Sequence, residues 1–305
     1  MKFVFMGTID FSVEILDYLN TNYDVSLVIS QPNRLKKKNE ILPTPVAKYA
    51  NEHNLTLLQP EKINDIYEEI KELNPDILVT AAYGQFIPTK ILNLFKKQIN
   101  VHASLLPKYR GGAPIQRSII NGDEYTGVSI MRMVKKMDAG EVYAIEKLPI
   151  LEEDNNTSLF LKLAVLGRNL LASSIEDIIS GKNLGVPQNE EEATFAYNIA
   201  PEEEVISFND TSKNIINKIR GLAFEPGAHF NFKGMNIKVF SAKEVSDESN
   251  NPSGYVLNTK KQILIKTKDS AVSLELILVP GKKMISGKDF SNGQKIFNVG
   301  DIIES

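Results

Sequence analysis

The first thirty residues constrain the fold most, because they alternate a strand, a helix and a second strand. Residues 2–6 form a short apolar run that ends at Gly7. A helical pattern follows, for which Asp10 or Ser12 can act as the N-terminal cap, and residues 25–30 have the composition of a second strand. Parallel neighbouring strands need a crossover helix of this kind. The opening therefore predicts a parallel, doubly wound sheet.

Several function classes are disfavoured by what the chain lacks. Only one glycine lies at the first turn, so the fingerprint for a nicotinamide or flavin dinucleotide is missing. The 305 residues contain no cysteine, which excludes disulfides, thiolate zinc ligands and thiol nucleophiles. The three histidines are scattered at positions 53, 102 and 229, an arrangement that disfavours a histidine-rich metal site. We therefore expect a function without a metal ion.

Location and charge give broader expectations. No apolar run predicts a membrane span, and the N-terminus lacks the shape of a cleavable signal, so we expect a cytoplasmic location without membrane contact. We also expect a monomer. The net charge of −3 argues against a dedicated nucleic-acid binder. However, the part after residue 207 is basic and the part before it is acidic. A basic C-terminal third is compatible with an RNA contact, although charge alone favours a solvated lysine-rich surface.

The stretch that carries chemistry is a strand that runs into a structured loop. Residues 99–104 alternate, with Asn100, His102 and Ser104 on one face and apolar residues on the other. Residues 105–114 contain two prolines and two glycines, so the chain must leave the sheet there. A strand holds side chains rigidly while the loop shapes a pocket around them, which makes this stretch a candidate active site.

The polar residues of this stretch suggest an acyl-transfer chemistry. Histidine is the side chain that ordinarily exchanges protons near neutral pH, so His102 can move a proton during a reaction. Asn100 can donate a hydrogen bond to an oxygen on which negative charge develops. Asp138, which follows a predicted strand, can orient the imidazole or relay a proton. Each residue also has an ordinary explanation, because an Asn-x-His pair is more often a hydrogen-bonded core pair, and an Asp near a Gly is usually a turn.

The motif containing these residues resembles one family. Residues 100–111 read Asn-x-His-x-Ser-Leu-Leu-Pro-x-Tyr-Arg-Gly, and residues 137–140 read Met-Asp-Ala-Gly, as in the folate-dependent formyltransferases. Residues 111–116, Gly-Gly-Ala-Pro-Ile-Gln, and 126–131, Thr-Gly-Val-Ser-Ile-Met, resemble the branch that acts on methionyl-tRNA. The resemblance covers almost the whole chain. It is strongest between residues 80 and 145, and it is weak after about residue 190.

The resemblance implies a reaction, a co-substrate and a set of site residues. The reaction is transfer of the formyl group of 10-formyltetrahydrofolate to the α-amino group of methionine on initiator tRNA, with Asn100, His102 and Asp138 as the catalytic residues. Direct attack without a covalent intermediate is expected. The loop after residue 103 is implied to line the folate pocket with Ser104, Leu105, Leu106 and Pro107. A second loop is implied to contact the pterin ring with Tyr83, Gly84, Gln85, Phe86 and Ile87.

A basic loop follows the second strand. Residues 31–40 contain four cations and one anion, which suits a phosphate contact or an ordinary surface loop. In the family this loop enters the acceptor end of the tRNA, which implies tRNA contacts by Arg34, Lys36, Lys37 and Lys38. The family core Gly-Arg-Gly-Lys-Lys reads Leu-Lys-Lys-Lys-Asn here, so the residue that replaces the central arginine stays open.

The sequence pattern and the family resemblance together predict the α/β fold class. We expect a Rossmann-like, mostly parallel, doubly wound sheet in residues 1–187, a linker in residues 188–207, and an OB-like β-barrel in residues 208–305 that binds tRNA. Several short alternating segments after residue 228 predict the barrel. Two other functions remain open, namely a formyltransferase for an amino-sugar nucleotide and a non-catalytic module that binds folate or RNA.

Overall fold

The computed structural model describes residues 1–35, 41–293 and 296–304, without the side chains of residues 34–35 and 292–293. The predicted tRNA contacts Lys36, Lys37 and Lys38 therefore lie outside the described residues. The chain divides into two compact units that are each discontinuous in sequence. Unit 1 comprises Met1–Pro114, Tyr125–Pro149 and Phe160–Tyr197, and unit 2 comprises Ile115–Glu124, Ile150–Leu159 and Asn198–Ser305. The domain boundaries expected at residues 187 and 208 stay a prediction.

The first 180 residues alternate strands and helices. In chain order these are β1 (Lys2–Gly7), α1 (Asp10–Asn22), β2 (Asp24–Ile29), β3 (Arg34–Leu35), β4 (Ile41–Leu42), α2 (Pro45–Glu52), β5 (Leu57–Leu58), a 3₁₀ turn (Ile63–Ile66), α3 (Tyr67–Leu73), β6 (Ile77–Ala81), α4 (Thr89–Leu92), β7 (Lys97–His102), α5 (Pro114–Ile120), β8 (Tyr125–Arg132), β9 (Val142–Pro149) and α6 (Asn156–Ile179). The predicted opening of strand, helix and strand is confirmed.

The sheet of unit 1 has seven strands in the order β5-β2-β1-β6-β7-β8-β9. The first five of them run parallel, whereas β8 is antiparallel to both of its neighbours. The predicted mostly parallel, doubly wound sheet is therefore confirmed. The chain proceeds outwards from β1 to β2 and β5, and then returns to β6 on the other side of β1. In such sheets ligands bind outside the carboxyl ends of the strands, beside this reversal.

The basic loop of residues 36–40 is flanked by a separate two-stranded ladder. In this antiparallel pair Arg34 pairs with Leu42 and Leu35 pairs with Ile41. The backbone of Arg34, one of the predicted tRNA contacts, therefore lies in β3. The ladder therefore pairs the backbones of residues 34–35 and 41–42.

The first turn of α1 is held differently from the sequence-based expectation. The cap position is Ile9, which makes no side-chain cap, so Asp10 and Ser12 are wrong as capping residues. Instead, the Ser12 hydroxyl accepts a hydrogen bond from the Thr8 N–H (3.2 Å) and donates to the Ala81 carbonyl (2.6 Å). The hydroxyl links the end of β6 to the start of α1, a contact that local sequence does not predict.

Helix α6 meets the length and composition test for a membrane span, although no such span was expected from the sequence. This is weak evidence, because core helices of folded proteins pass the same test. Within unit 1 a Cβ on Gly167 would lie 3.0 Å from the Val101 side chain, and the Arg168 guanidinium pairs with Glu14 at 3.0 Å. Contacts with β7 and α1 are those of a helix packed on the sheet.

Unit 2 contains the C-terminal elements. These are α7 (Ser212–Leu222), β10 (Ala228–Phe232), β11 (Met235–Val245), β12 (Val256–Asn258), β13 (Leu264–Lys266), β14 (Ala271–Leu278), β15 (Ile285–Ser286) and α8 (Gly287–Gly293). Their antiparallel sheet has the order β10-β11-β14-β13-β12, with β15 beside β14. The register of β11 is irregular between Val239 and Ala242, which bends the strand. The sheet curls around a core that includes Phe208, Phe230 and Phe290, as expected for an OB-like barrel.

Candidate active site

Strand β7 and the turn between β8 and β9 bring three predicted residues together. Asn100 and His102 lie two residues apart at the carboxyl end of β7 and share one face of the strand. Asp138 lies in the turn that connects β8 to β9. The Nδ1 atom of His102 is 3.8 Å from the Oδ2 atom of Asp138. Residues separated by 36 positions in the chain thus face each other at one edge of the sheet.

The imidazole of His102 is buried and its orientation is set by the backbone. Its Nε2 atom lies 2.9 Å from the carbonyl oxygen of Tyr109. A carbonyl oxygen only accepts hydrogen bonds, so Nε2 carries a proton and donates. In the neutral ring, Nδ1 is then the unprotonated nitrogen. The proton-exchanging nitrogen of His102 consequently faces the carboxylate of Asp138.

Asp138 is held by an unusual backbone conformation and by a neighbouring amide. Its φ of +47° lies in the left-handed region, which Asp tolerates better than most residues. Its Oδ2 atom accepts a hydrogen bond of 2.8 Å from the N–H of Gly111. The distance of 3.8 Å to His102 Nδ1 exceeds that of a direct hydrogen bond. The carboxylate is therefore fixed by the Gly111 N–H and faces His102 Nδ1 without a direct hydrogen bond to it.

Asn100 is oriented by a threonine on the adjacent strand. The Thr80 hydroxyl donates a hydrogen bond of 2.8 Å to the Asn100 side-chain oxygen. The amide oxygen is thus engaged within the sheet, and the NH₂ group takes no part in this bond. Asn100 is half-buried, and its NH₂ group is able to donate a hydrogen bond to a ligand.

The loop after β7 is built around buried hydroxyl groups. Ser104 is fully buried, and its hydroxyl donates to the Lys108 carbonyl at 2.6 Å. The Ser129 hydroxyl donates to the Ser104 carbonyl (2.7 Å) and accepts from the Leu106 N–H (3.1 Å). These bonds give both hydroxyls a structural role, so Ser104 is not poised as a nucleophile.

The remaining predicted folate residues of this loop differ in exposure. Leu106 is buried in a small cluster with Met131 and Val142, whereas Leu105 and Pro107 are half-buried. Folate contacts by Ser104, Leu105, Leu106 and Pro107 stay a prediction.

The second predicted folate loop, residues 83–87, begins beside the strand reversal. Its backbone is tied to Thr8, the residue after β1, because the Tyr83 carbonyl accepts from the Thr8 hydroxyl at 2.7 Å. Tyr83 and Ile87 are buried in the core, whereas Phe86 is 68% exposed. The side-chain oxygen of Gln85 accepts a hydrogen bond of 2.9 Å from the Ile63 N–H. Burial raises the pKa of Tyr83 to about 12, and its hydroxyl has no partner among the described residues. Contacts of residues 83–87 with folate stay a prediction.

Arg110 is a site residue that sequence reasoning missed. It is the largest fully buried side chain of the described residues, and its guanidinium forms a two-pronged pair with the Glu190 carboxylate at 3.0 and 3.1 Å. This pairing, together with Lys136, lowers the pKa of Glu190 to about 2. Arg110 is the central residue of the Tyr-Arg-Gly motif, and a buried charge needs such a partner. The partner, 80 residues away, gave no local signal.

A metal site is not apparent. Among residues 1–35, 41–293 and 296–304, no group of three or more His, Asp or Glu side chains is arranged to hold a metal ion.

Comparisons with known proteins identify the class. A family model described as formyl transferase matches residues 1–175, and one described as the formyl transferase C-terminal domain matches residues 198–295. The chain therefore belongs to the formyl transferase family.

Relatives named methionyl-tRNA formyltransferase resemble the chain over its whole length. One from Mesoplasma florum is 45% identical, with 100% of this chain and 99% of the relative covered. Another from Streptococcus uberis is 43% identical, with 98% of each covered.

Solved structures with this fold include sugar formyltransferases. An N-formyltransferase from Helicobacter canadensis, solved with folinic acid and dTDP-3-aminofucose, has a TM-score of 0.70 at 20% identity, covering 90% of this chain and 98% of that one. HypX from Aquifex aeolicus in complex with tetrahydrofolic acid has a TM-score of 0.64 at 16% identity, covering 97% and 47%. At these identities the likeness concerns the fold alone.

Proposed function

We propose that the protein transfers the formyl group of 10-formyltetrahydrofolate to the α-amino group of methionine on initiator tRNA, in translation initiation. Its full-length relatives at 43–45% identity carry the name of that activity. The single structural observation behind the mechanism is the facing pair of His102 Nδ1 and Asp138 Oδ2, 3.8 Å apart. Their spacing suits the binding of an amine between a base and a carboxylate.

The acceptor amine fits between these two atoms. An amine nitrogen at about 2.9 Å from each can lie between points 3.8 Å apart, as ordinary hydrogen-bond lengths allow. Asp138 accepts one N–H bond, and His102 Nδ1 takes the proton that the amine loses. Holding the amine in this geometry replaces a bimolecular encounter with an oriented attack.

The reaction then proceeds by direct attack on the formyl carbon. The amine nitrogen forms a bond to that carbon, and the carbonyl oxygen gains negative charge. The NH₂ group of Asn100 donates to this oxygen, since Thr80 already engages the amide oxygen. The bond from the formyl carbon to the folate nitrogen breaks, and the proton held by His102 passes to that nitrogen.

The two substrates occupy different parts of unit 1. We place the folate along residues 83–87 and 104–107, because the parallel strands end near these loops. The acceptor end of the tRNA contacts the loop that carries Arg34, Lys36, Lys37 and Lys38, whose charge suits phosphates. The protein acts as a cytoplasmic monomer, and its OB-like barrel binds tRNA.

The test is formyl transfer by the purified protein with three acceptors. We expect fast transfer from 10-formyltetrahydrofolate to methionyl-initiator tRNA, and slow or no transfer to methionyl-elongator tRNA or an amino-sugar nucleotide. The variant Asp138→Asn should lose most of the turnover. An amide has only one oxygen that accepts hydrogen bonds, whereas the carboxylate of Asp138 has two. Asp65→Asn, the same change at an exposed position, should retain it. Transfer to the sugar alone, or to no acceptor, contradicts the proposal.

A further inference from the structure

The geometry points to Gln188 as a positioning residue for Asp138, an inference that rests on the proposed catalytic role of Asp138. Gln188 does not touch the reacting atoms. We propose that its side-chain amide holds the peptide of Asp138 in the left-handed conformation that aims the carboxylate at His102. Gln188 lies 50 residues further along the chain, in a segment whose composition predicted only a linker.

The amide group of Gln188 uses all of its hydrogen-bonding capacity. Its NH₂ group donates to the carbonyl of Asp138 at 2.8 Å and to the carbonyl of Gly140 at 2.7 Å. Its oxygen accepts from Arg110 Nη2 at 2.9 Å and from Arg110 Nε at 3.1 Å. A reversed amide would place oxygen against two carbonyls and NH₂ against a guanidinium. The network therefore permits a single orientation of the side chain.

Arg110 anchors this arrangement in the core of unit 1. Its guanidinium is fully buried and is neutralised by the two-pronged pair with Glu190. Its backbone pairs with the same segment that carries Gln188, because the Arg110 N–H donates to the Thr194 carbonyl (2.9 Å) and its carbonyl accepts from the Ala196 N–H (2.7 Å). A buried, paired and hydrogen-bonded cation is costly to move, so Gln188 is attached to a rigid support.

Asp138 is consequently held by two hydrogen bonds, and both lead to the segment of Arg110 and Gly111. Its carbonyl is bound through Gln188 to the Arg110 guanidinium. Its carboxylate is bound by the N–H of Gly111, the residue that follows Arg110. Two attachments on opposite sides of one Cα atom restrict both the backbone and the side chain. Loss of either attachment lets the carboxylate move relative to His102 Nδ1.

The decisive variant is Gln188→Glu, with Asn189→Asp as its matched control. Gln188→Glu preserves the size and the oxygen that faces Arg110, but it replaces the NH₂ donor with an oxygen that repels both carbonyls. Asn189→Asp makes the same amide-to-carboxylate change one residue away, on an exposed side chain. Gln188→Met removes both polar functions without adding charge. It serves as the second variant if the first does not fold.

Two readouts separate positioning from a general structural effect. The first is the ¹⁵N signals of the His102 ring in the resting protein, assigned among three histidines with His102→Gln. The second is kcat and KM for formyl transfer. We expect either Gln188 variant to change the His102 signals and their pH titration, and to lower kcat by about 10- to 100-fold with KM little changed, since small misplacements near a reaction centre have such costs.

The outcomes are distinguishable. Unchanged His102 signals, a rise in KM at constant kcat, or equal effects in Asn189→Asp would each overturn the positioning role. Changed His102 signals with an unchanged kcat would show that Gln188 has no importance for catalysis, which also overturns the proposal. If the wild-type protein transfers no formyl group, the proposed function fails, whereas the His102 signals still decide whether Gln188 controls the geometry of Asp138.

Discussion

The side chain of Asn100 is oriented before a ligand binds. Its oxygen accepts from the Thr80 hydroxyl, and both residues lie on adjacent parallel strands that pair directly with each other. A preoriented donor costs no reorganisation when charge develops on a substrate oxygen. In the proposed mechanism, Asn100 therefore acts through its NH₂ group alone.

Replacing Asn100 by Ala should lower kcat by about 100- to 1,000-fold, the usual cost of losing one oxyanion donor. KM for the folate should change little, because the donor acts mainly in the transition state. Steady-state kinetics of formyl transfer test this expectation, with Asn231→Ala at an exposed position of β10 as the control. Near-normal turnover of the Asn100 variant would remove Asn100 from the mechanism.

At the scale of single residues, sequence predicted residue types better than partners. The sequence suggested Asn100, His102 and Asp138 as catalytic because each type suits a proton transfer or the stabilisation of an oxyanion, and their catalytic roles stay a prediction. By contrast, the sequence suggested Ser12 as a helix cap, and the structure uses its hydroxyl to bind β6. A short polar side chain has several possible local partners, and the tertiary environment selects among them.

The loop after β7 depends on a close approach to β8. Gly127 lies in β8, where an added Cβ would meet the backbone oxygen of Glu146 and the side chain of Leu105. Backbone atoms of a paired strand cannot move aside as a flexible side chain can. The absence of a side chain at Gly127 therefore lets β8 pair with β9 while Leu105 packs above it.

We predict that Gly127→Ala destabilises the protein by about 1–3 kcal/mol, the typical cost of overpacking, and that it also lowers activity by displacing Leu105. Urea unfolding followed by circular dichroism measures the first effect, and formyl transfer measures the second. Gly181→Asn is the control, since nothing lies within 4 Å of a Cβ there and Asn tolerates its φ of +77°. An unchanged unfolding midpoint would contradict the close approach.

The segment after α6 is bound to unit 1 by charge as well as by backbone pairing. Arg110 and Lys136 lower the pKa of Glu190 from 4.5 to about 2. A depressed folded pKa means that the carboxylate stabilises the fold above the unfolded pKa. This contribution is lost as the pH falls from about 4.5 towards 2.

Glu190→Gln should therefore make the protein less stable at neutral pH and flatten the decline of stability between about pH 4.5 and 2. The midpoints of urea unfolding, measured for wild type and for Glu190→Gln across that pH range, compare the two stabilities. Glu191→Gln, the adjacent exposed carboxylate, is the matched control. Parallel pH curves for wild type and Glu190→Gln would show that the ion pair contributes nothing to folding.

At the scale of the whole molecule, charge is unevenly distributed along the sequence. The chain has a net charge of −3, although residues 34–38 and the C-terminal third are basic. Long-range attraction to a polyanion then depends on local basic patches, and it weakens with salt because bound phosphates release counterions.

We predict that changing Lys36, Lys37 and Lys38 together to Ala weakens tRNA binding and reduces the slope of log Kd against log salt concentration by about 0.7–0.9 for each lost phosphate contact. The control replaces Lys48, Lys62 and Lys71, which are exposed lysines outside the basic loop, and thus makes the same change in charge. Filter binding at several salt concentrations provides the slopes. Identical slopes for both triple variants would exclude the loop from phosphate contact.

Much of the architecture followed from sequence patterns. The alternation of apolar runs and helical periods indicated the strands and helices of the doubly wound sheet, and short alternating segments indicated the C-terminal barrel. These patterns report the periodicity of burial, which is a local property that each segment carries by itself. The Asn-x-His and Met-Asp-Ala-Gly motifs likewise identified a candidate site and its family.

Only the tertiary structure decided which distant groups meet. Asp138 adopts a left-handed conformation in a turn that Gln188 binds from 48 residues away, through the Gly140 carbonyl. Arg110 is buried against Glu190, which lies 80 residues further along the chain. Such contacts depend on the path of the backbone in space, because a side chain has no periodic signal that names its partner. The sequence by itself thus determined the secondary-structure elements and suggested the candidate catalytic residues, whereas folding determined how their side chains are oriented, because orientation depends on contacts between distant segments.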